Sequence, residues 1–367
     1  MGQRGHPQGE PLQVSLAMGI LDRWQREPGA RVEGSRDLDR SKVQAPGVVG
    51  VPSGGYRLFY TAVGPAKPFP ECQGYILSAF SEDGLRFRPE PGIRVAPRPG
   101  IPHMSLRVLA PSVTRTDEGH WRMYFEARGP AHEPTVICSA VSRDQLEWEY
   151  EGVRLRSKGG VGAPRYVPLP QRRARLYCCD SEYGPGGPGR SERLAHNVVS
   201  AVTSDGLDFE WESGVRLRDL RGETDEIGIT AADVIPPRRT GEDWVMVFSA
   251  WQDLPPGAVA PPHPSEDVDA VASGRSRDFA AASIAADMAG YRSRIFTATS
   301  RDGLLWERRT CIVEGAGYGG PGLDAVHAED MSLIRLGGNR YRMYYAACDR
   351  NGVWRVASAV ASREQPG

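Results

Sequence analysis

One turn of six or seven residues recurs along the chain: Ser81-Glu82-Asp83-Gly84-Leu85-Arg86-Phe87, Ser142-Arg143-Asp144-Gln145-Leu146-Glu147-Trp148, Ser204-Asp205-Gly206-Leu207-Asp208-Phe209 and Ser300-Arg301-Asp302-Gly303-Leu304-Leu305-Trp306. Its aspartates, at 83, 144, 205 and 302, are spaced 61, 61 and 97 residues apart. A fixed period of this kind means that the chain is built from repeated supersecondary units, and it constrains the fold more than length or composition does.

Each turn follows a run of aromatic and aliphatic residues: Tyr56-Arg57-Leu58-Phe59-Tyr60, Trp121-Arg122-Met123-Tyr124-Phe125, Arg175-Leu176-Tyr177-Cys178 and Trp244-Val245-Met246-Val247-Phe248. A fifth run, Tyr341-Arg342-Met343-Tyr344-Tyr345, leads to Ser362-Arg363-Glu364 at the turn position, so the sequence carries five units. Within each unit a small-residue segment, the aromatic segment, a third such as Ile76-Leu77-Ser78-Ala79-Phe80 and a charged fourth read as four short strands. Period-two alternation broken by Gly and Asp every few residues favours strands over helices, and repeats of four strands predict propeller blades.

The fifth unit supplies three strands. Its missing fourth is predicted near the N-terminus, where Trp24-Gln25-Arg26-Glu27-Pro28-Gly29-Ala30-Arg31-Val32 matches Phe87-Arg88-Pro89-Glu90-Pro91-Gly92-Ile93-Arg94-Val95. The expected fold is therefore all-β, a five-bladed β-propeller closed by the N-terminal strand, which removes two exposed sheet edges. Residues 1–20 read as a flexible polar segment and 21–367 as a single domain. The longer third interval is confined to an insertion at 253–291, expected to form a lid with a short helix near Asp278–Met288.

A formal net charge of −1 over 367 residues offers no field to recruit nucleic acid or a membrane surface. No run reaches 18 apolar residues and the N-terminal residues lack a signal-peptide core, so a cytoplasmic protein is expected. The six cysteines have neither a C-x-x-C pair nor zinc-ligand spacing, and buried free thiols are expected. No metal or organic cofactor is predicted.

In a propeller, loops before the first strands and the junctions of second and third strands converge on one end of the axis, where ligands bind. Those positions nominate Glu223, Asp225, Glu226, His327 and Glu329 as acid/base groups. Around them, His103, Arg107, Arg40, Glu126, Arg165, Asp180, His196, Trp251 and Asp324 are candidates for holding a substrate. Carboxylates that accept hydroxyl protons, beside a stacking Trp, suit a polyhydroxylated small molecule. The turn aspartates 83, 144, 205 and 302 are expected to cap their own turns instead.

The order of a small-residue strand with an A/D-P step, an aromatic Y-x-x-Y-Y strand and S-x-D-G-x-x-W resembles the five-bladed propeller glycoside hydrolases: arabinanases, β-xylosidases, invertases and levansucrases. The likeness spans residues 21–364. In the arabinanase-like families the catalytic base is an Asp opening the first strand of a blade. The matching steps read Ala45-Pro46, Ala110-Pro111, Ala163-Pro164, Ala231-Ala232 and Ala328-Glu329, each with Ala where that Asp would stand. The resemblance thus implies the fold, with a glycoside hydrolase-like acid/base enzyme if neighbouring carboxylates took over. The alternatives are a lyase, cyclase or isomerase using His103, His327 and the arginines, or a non-catalytic carbohydrate-binding propeller.

Overall fold

The computed structural model describes residues 21–130, 132–183, 193–219, 226–253 and 291–362. The N-terminal segment 1–20 and most of the insertion, residues 254–290, lie outside them. The chain is all-β. The first strands of the repeats are β2 (Lys42–Gly50), β6 (Arg107–Arg115), β10 (Val161–Pro168), β14 (Glu226–Ile235) and β18 (His327–Gly337). The aromatic second strands are β3 (Tyr56–Val63), β7 (Trp121–Arg128), β11 (Ala174–Tyr183), β15 (Trp244–Asp253) and β19 (Arg340–Cys348). Third strands are β4 (Tyr75–Ser81), β8 (Val136–Ser142), β12 (Arg193–Thr203), β16 (Tyr291–Ser300) and β20 (Trp354–Ser362). The remaining strands are β1 (Gln25–Arg26), β5 (Arg88–Pro89), β9 (Glu149–Arg156), β13 (Glu210–Trp211) and β17 (Glu307–Val313).

Three four-stranded sheets run β2-β3-β4-β5, β6-β7-β8-β9 and β10-β11-β12-β13. The other eight strands form one sheet, in the order β1-β20-β19-β18-β16-β15-β14 with β17 paired to β16 off this path, and its two halves meet at a single parallel bridge, Ser293 to His327. β1 pairs antiparallel with β20, Gln25 opposite Val360, and Val32 bridges Val356 further along. Second strands are covered on both faces, so β3 is buried over nearly its whole length, Arg57 and Thr61 included.

Contacts between successive repeats explain the recurring turn. Arg57, Arg122, Arg175 and Arg342 on the second strands form two-pronged ion pairs with Glu90, Glu151, Glu212 and Glu27, at 2.6–2.9 Å. Each glutamate also accepts a third-strand hydroxyl, from Ser78, Ser139, Ser200 or Ser358. The same arginines then reach a turn carbonyl of the next repeat: Asp144, Asp205, Gly303 and Asp83 respectively. The last of these joins the fifth repeat to the first.

The turn aspartates cap as expected. One oxygen of Asp302, for example, accepts the Leu304 and Leu305 N–H groups at 2.8 and 2.9 Å. Those backbone hydrogen bonds hold the carboxyls of Asp83, Asp144, Asp205 and Asp302 below the usual range. In the third turn the hydroxyl that bonds the aspartate belongs to Thr203, one residue before the Ser204 of the sequence motif. The closing aromatics Phe87, Trp148, Phe209 and Trp306 pack edge-on against Tyr344, Phe59, Tyr124 and Tyr177, with centroids 5.6–6.1 Å apart.

The turn glycines have both a backbone and a space requirement. Gly206 has φ +75°, and a Cβ there would lie 2.7 Å from Arg122 Nη1 and 2.8 Å from the Tyr124 hydroxyl. Where the chain departs from this pattern it changes both partners at once. Phe59 lacks the hydroxyl, and Gln145 replaces the glycine at φ 68°, its buried Oε1 accepting Arg57 Nη1 at 2.7 Å.

Two stability measurements follow. Gly206→Ala meets both the positive φ and the clash, and should lose about 2–4 kcal/mol by denaturant midpoint, whereas Gly29→Ala, at φ +78° in open space, should lose about 1–2 kcal/mol. Deleting residues 1–33 removes β1 and leaves Arg342 without Glu27; stranding that buried cation alone should cost about 3–5 kcal/mol. A deletion variant that melts like the full chain would refute the role given to this strand.

Candidate functional site

Four first strands carry the same defect. Their registers shift between Gln44 and Gly47, Leu109 and Ser112, Gly162 and Arg165, and Glu329 and Ser332. At each bulge one residue takes a left-handed conformation: Ala45 (φ 48°), Ala110 (φ 52°), Ala163 (φ 50°) and Asp330 (φ 52°). The N–H of the bulged residue is caught by a side chain on the preceding repeat's second strand. Thr61 Oγ1 takes Ala110, Glu126 Oε2 takes Ala163 and Ser249 Oγ takes Asp330, at 3.0–3.2 Å.

This corrects one alignment made on sequence. The fifth repeat's counterpart of Ala110-Pro111 is Asp330-Met331, two residues beyond Ala328-Glu329. The structurally matched position is therefore an aspartate in one repeat. Because that repeat has no proline to mark the bulge, the Pro-based alignment slipped. Counting back from the second strand finds it: Gly47, Ser112, Arg165 and Ser332 each stand nine residues before Tyr56, Trp121, Ala174 and Tyr341.

The bulges surround a cavity of about 450 Å³ with three carboxyl groups on its wall: Glu126, Glu329 and Asp330. Adjacent strand residues normally face opposite sides, but the left-handed turn at Asp330 breaks the alternation and both acids of β18 line the cavity. Glu329 Oε2 accepts the Trp251 indole N–H at 3.0 Å. Glu126 accepts Arg128 Nε at 2.5 Å with its other oxygen. A Cβ on Gly162 would fall 2.2 Å from Glu126 Oε2, so glycine is required for that carboxylate to lie against β10.

Asp330 is half-buried with its open side on the cavity. Burial, then the neighbouring charges of Glu329 and Glu126, push its carboxyl up to about 8, against the opposing pull of Arg165 and Lys42. A carboxyl in this state can donate a proton near neutral pH.

Of the residues nominated from sequence, Glu126, Glu329, Trp251, Arg107 and His196 line this cavity. Glu223 and Asp225 lie outside the described residues. The backbone of Glu226 opens β14 opposite Gln252, and its side chain also lies outside them. The rest are placed elsewhere. His327 is buried off the cavity, stacked on Trp354 at 5.4 Å, with Nδ1 accepting the Ser293 N–H at 3.1 Å. Asp324 accepts Tyr345 and Arg26 at 2.8 and 2.7 Å, repeating the Asp39–Tyr60–Arg36 cluster of the first repeat.

His103 sits on a 3-10 turn at 3.1 Å from the Tyr150 hydroxyl, its pKa lowered by burial. Arg40 is exposed and pairs with Asp37 at 3.4 Å, and Asp180 accepts Ser157 Oγ. Arg165 is buried beneath the cavity and spends its hydrogen bonds on backbone carbonyls. The sequence reading did not select Asp330, Lys42, Arg128, Thr230 or Cys179, all of which contribute to the wall. Among the described residues no group of three His, Cys, Asp or Glu side chains is placed to hold a metal ion, and no helix is long and apolar enough to cross a membrane.

No family model and no curated protein matches the chain. Solved structures do. The β-1,2-mannobiose phosphorylase from Listeria innocua, in complex with β-1,2-mannobiose, aligns at 13% identity over 92% of this chain and 96% of its own, with a TM-score of 0.62. An N-acetylgalactosamine deacetylase from F. plautii, in complex with blood group B trisaccharide, aligns at 14% identity over 92% and 95%, TM-score 0.59. A structure from a family of mannoside phosphorylases, said to contain glycoside hydrolases that target β-1,2-mannosidic linkages in Candida mannan, aligns at 12% over 98% of each chain, TM-score 0.58. At such identities the likeness establishes the fold, that of the glycoside hydrolase-type propeller proteins.

Proposed function

We propose that this chain is an acid/base enzyme that cleaves or transfers a glycosidic or closely related bond of a polyhydroxylated small molecule in the cavity. The observation that carries this reading is the convergence of three carboxyl groups, Glu126, Glu329 and Asp330, on one cavity wall, where burial and the two neighbouring acids raise the pKa of Asp330. Asp330 is the acid and protonates the leaving oxygen. Glu126, on β7 of another repeat, is the second carboxylate and takes the proton of the attacking hydroxyl. Glu329, next to Asp330, sustains the acid's raised pKa and fixes the Trp251 ring on which a sugar face can stack.

The repeats support a ring of five blades as the scaffold, with β1 completing the last one and Arg342 gripping the first. Of the groups of the lyase, cyclase or isomerase reading, Arg107 lines the cavity and His103 and His327 do not, so we favour the carboxylates as its acid/base groups. Lys42, Arg107, Arg128 and His196 add cationic or ionisable groups to the wall, which favours inorganic phosphate as the specific alternative to water as acceptor.

The test is a screen of disaccharides and aryl glycosides with and without phosphate. On the substrate found, Asp330→Asn and Glu126→Gln should each lower kcat by at least about 10²-fold, and wild-type kcat should fall above about pH 8 as the acid ionises. Binding of sugars without turnover would favour the carbohydrate-binding alternative, and an Asp330→Asn variant of full activity would end the assignment of the acid.

A stability measurement independent of substrate accompanies it. The folded pKa of Asp330 lies above its unfolded value, so the folded state holds the proton more tightly and stability declines as pH rises from about 4 to about 8. Asp330→Asn removes that decline. It should melt above wild type at pH 8, and the gap should close towards pH 4.

A further inference from the structure

Beneath the cavity the axis is filled by one side chain. Arg165 follows the Ala163-Pro164 bulge of β10, and its guanidinium points at the matching bulges of other repeats. Nε and Nη2 reach the Met331 carbonyl at 3.2 and 2.9 Å, Nη2 reaches Pro46 at 3.2 Å, and Nη1 reaches Pro164 and Pro111 at 2.9 and 3.5 Å. Four first strands are tied to one buried cation. Met331 is the residue after Asp330, so the group that holds the axis also holds the acid's backbone.

The far side of Arg165 faces a second cavity, of about 160 Å³, whose wall includes Asp233. Asp233 occupies in β14 the place that Arg165 has in β10. Its two oxygens accept the Val234 and Leu333 N–H groups at 2.8 Å each. Burial raises its pKa while the charge of Arg165 opposes the rise. Arg165 thus stands between two carboxyls, one on the wall of each cavity.

We propose that Arg165 is a positioning residue, an internal cation that fixes the Asp330-Met331 bulge through the Met331 carbonyl and transmits the electrostatic state of Asp233 to the acid. The inference rests on the reading of Asp330 as the proton donor, but its electrostatic part can be measured without substrate. The charged groups acting on Asp330 are Glu329 on its own strand, Glu126 on β7, Lys42 on β2 and Arg165 on β10. Those acting on Arg165 are Asp233, Asp330 and, when ionised, Cys179. Removing Arg165's charge takes a cation from Asp330, and removing Asp233's charge takes away the carboxylate that competes for that cation. The two changes act with opposite sign.

The experiment titrates the Asp330 carboxyl by carbon-detected NMR, assigned with Asp330→Asn, in wild type, Arg165→Met and Asp233→Asn, each checked for folding by circular dichroism. The midpoint should move up in Arg165→Met and down in Asp233→Asn, by about one pH unit or more. The basic limb of kcat should follow each shift on the substrate identified. Should Arg165→Met fail to fold, the downward shift in Asp233→Asn decides alone. Unmoved midpoints in folded variants, or shifts of the same sign, overturn the coupling. An active Asp330→Asn variant overturns the functional reading and leaves the titration result standing on its own.

Discussion

A buried arginine fork pointing from one repeat to the next is the interaction on which the rest depends. In Arg57, Arg122, Arg175 and Arg342 two donors are spent on a glutamate of the same repeat and a third on a carbonyl of the following turn. Side-chain exposures of 7–17% for these arginines and glutamates mean that both charges have left water. Such pairs contribute little net stability when compared with apolar replacements, but breaking one is costly. Their value is register: a planar fork accepts one alignment of carboxylate, hydroxyl and carbonyl and no other. The turn's glycine, aspartate and aromatic are all conditions for that alignment.

The fourth repeat tests the argument. Its second strand has Val245 where the others have arginine. Its junction with the fifth repeat keeps the parallel bridge from Ser293 to His327, matched at the first junction by Gly74 and Arg107, and adds Ser293 Oγ at 3.0 Å from His327 Nδ1. His327 takes part in that junction and lies off the cavity. Asp324 also belongs to a recurring arrangement, since the first repeat has the same Asp–Tyr–Arg cluster at Asp39, and neither aspartate lines the cavity.

Most of the architecture was legible because strand periodicity and turn chemistry are local, and a repeat writes each signal several times. The pairing of Gln25 with Val360 could be anticipated because the N-terminal segment copies a fourth strand. The site was harder to read. Whether Glu126, Glu329 and Trp251 share a cavity with Asp330 depends on how far each bulge turns its strand, and bulges have no side-chain signature when proline is absent. Arg165 shows the limit most clearly. Its place in sequence suggested a substrate contact, and only the convergence of four carbonyls explains why it lies below the cavity.

The similar structures named above include a phosphorylase and a deacetylase, so the scaffold does not choose the chemistry. Within this chain the bulge positions differ in whether they carry an ionisable group and in what surrounds it. Here the left-handed residue is alanine at 45, 110 and 163 and aspartate at 330. The conformation disfavours any residue with a Cβ, and an aspartate there also places a carboxyl beside Glu329 at a desolvated wall. Neither feature helps the chain fold. The second raises the pKa of Asp330, and a strained residue beside like charges at one of several otherwise apolar bulges is the feature on which the proposed acid rests.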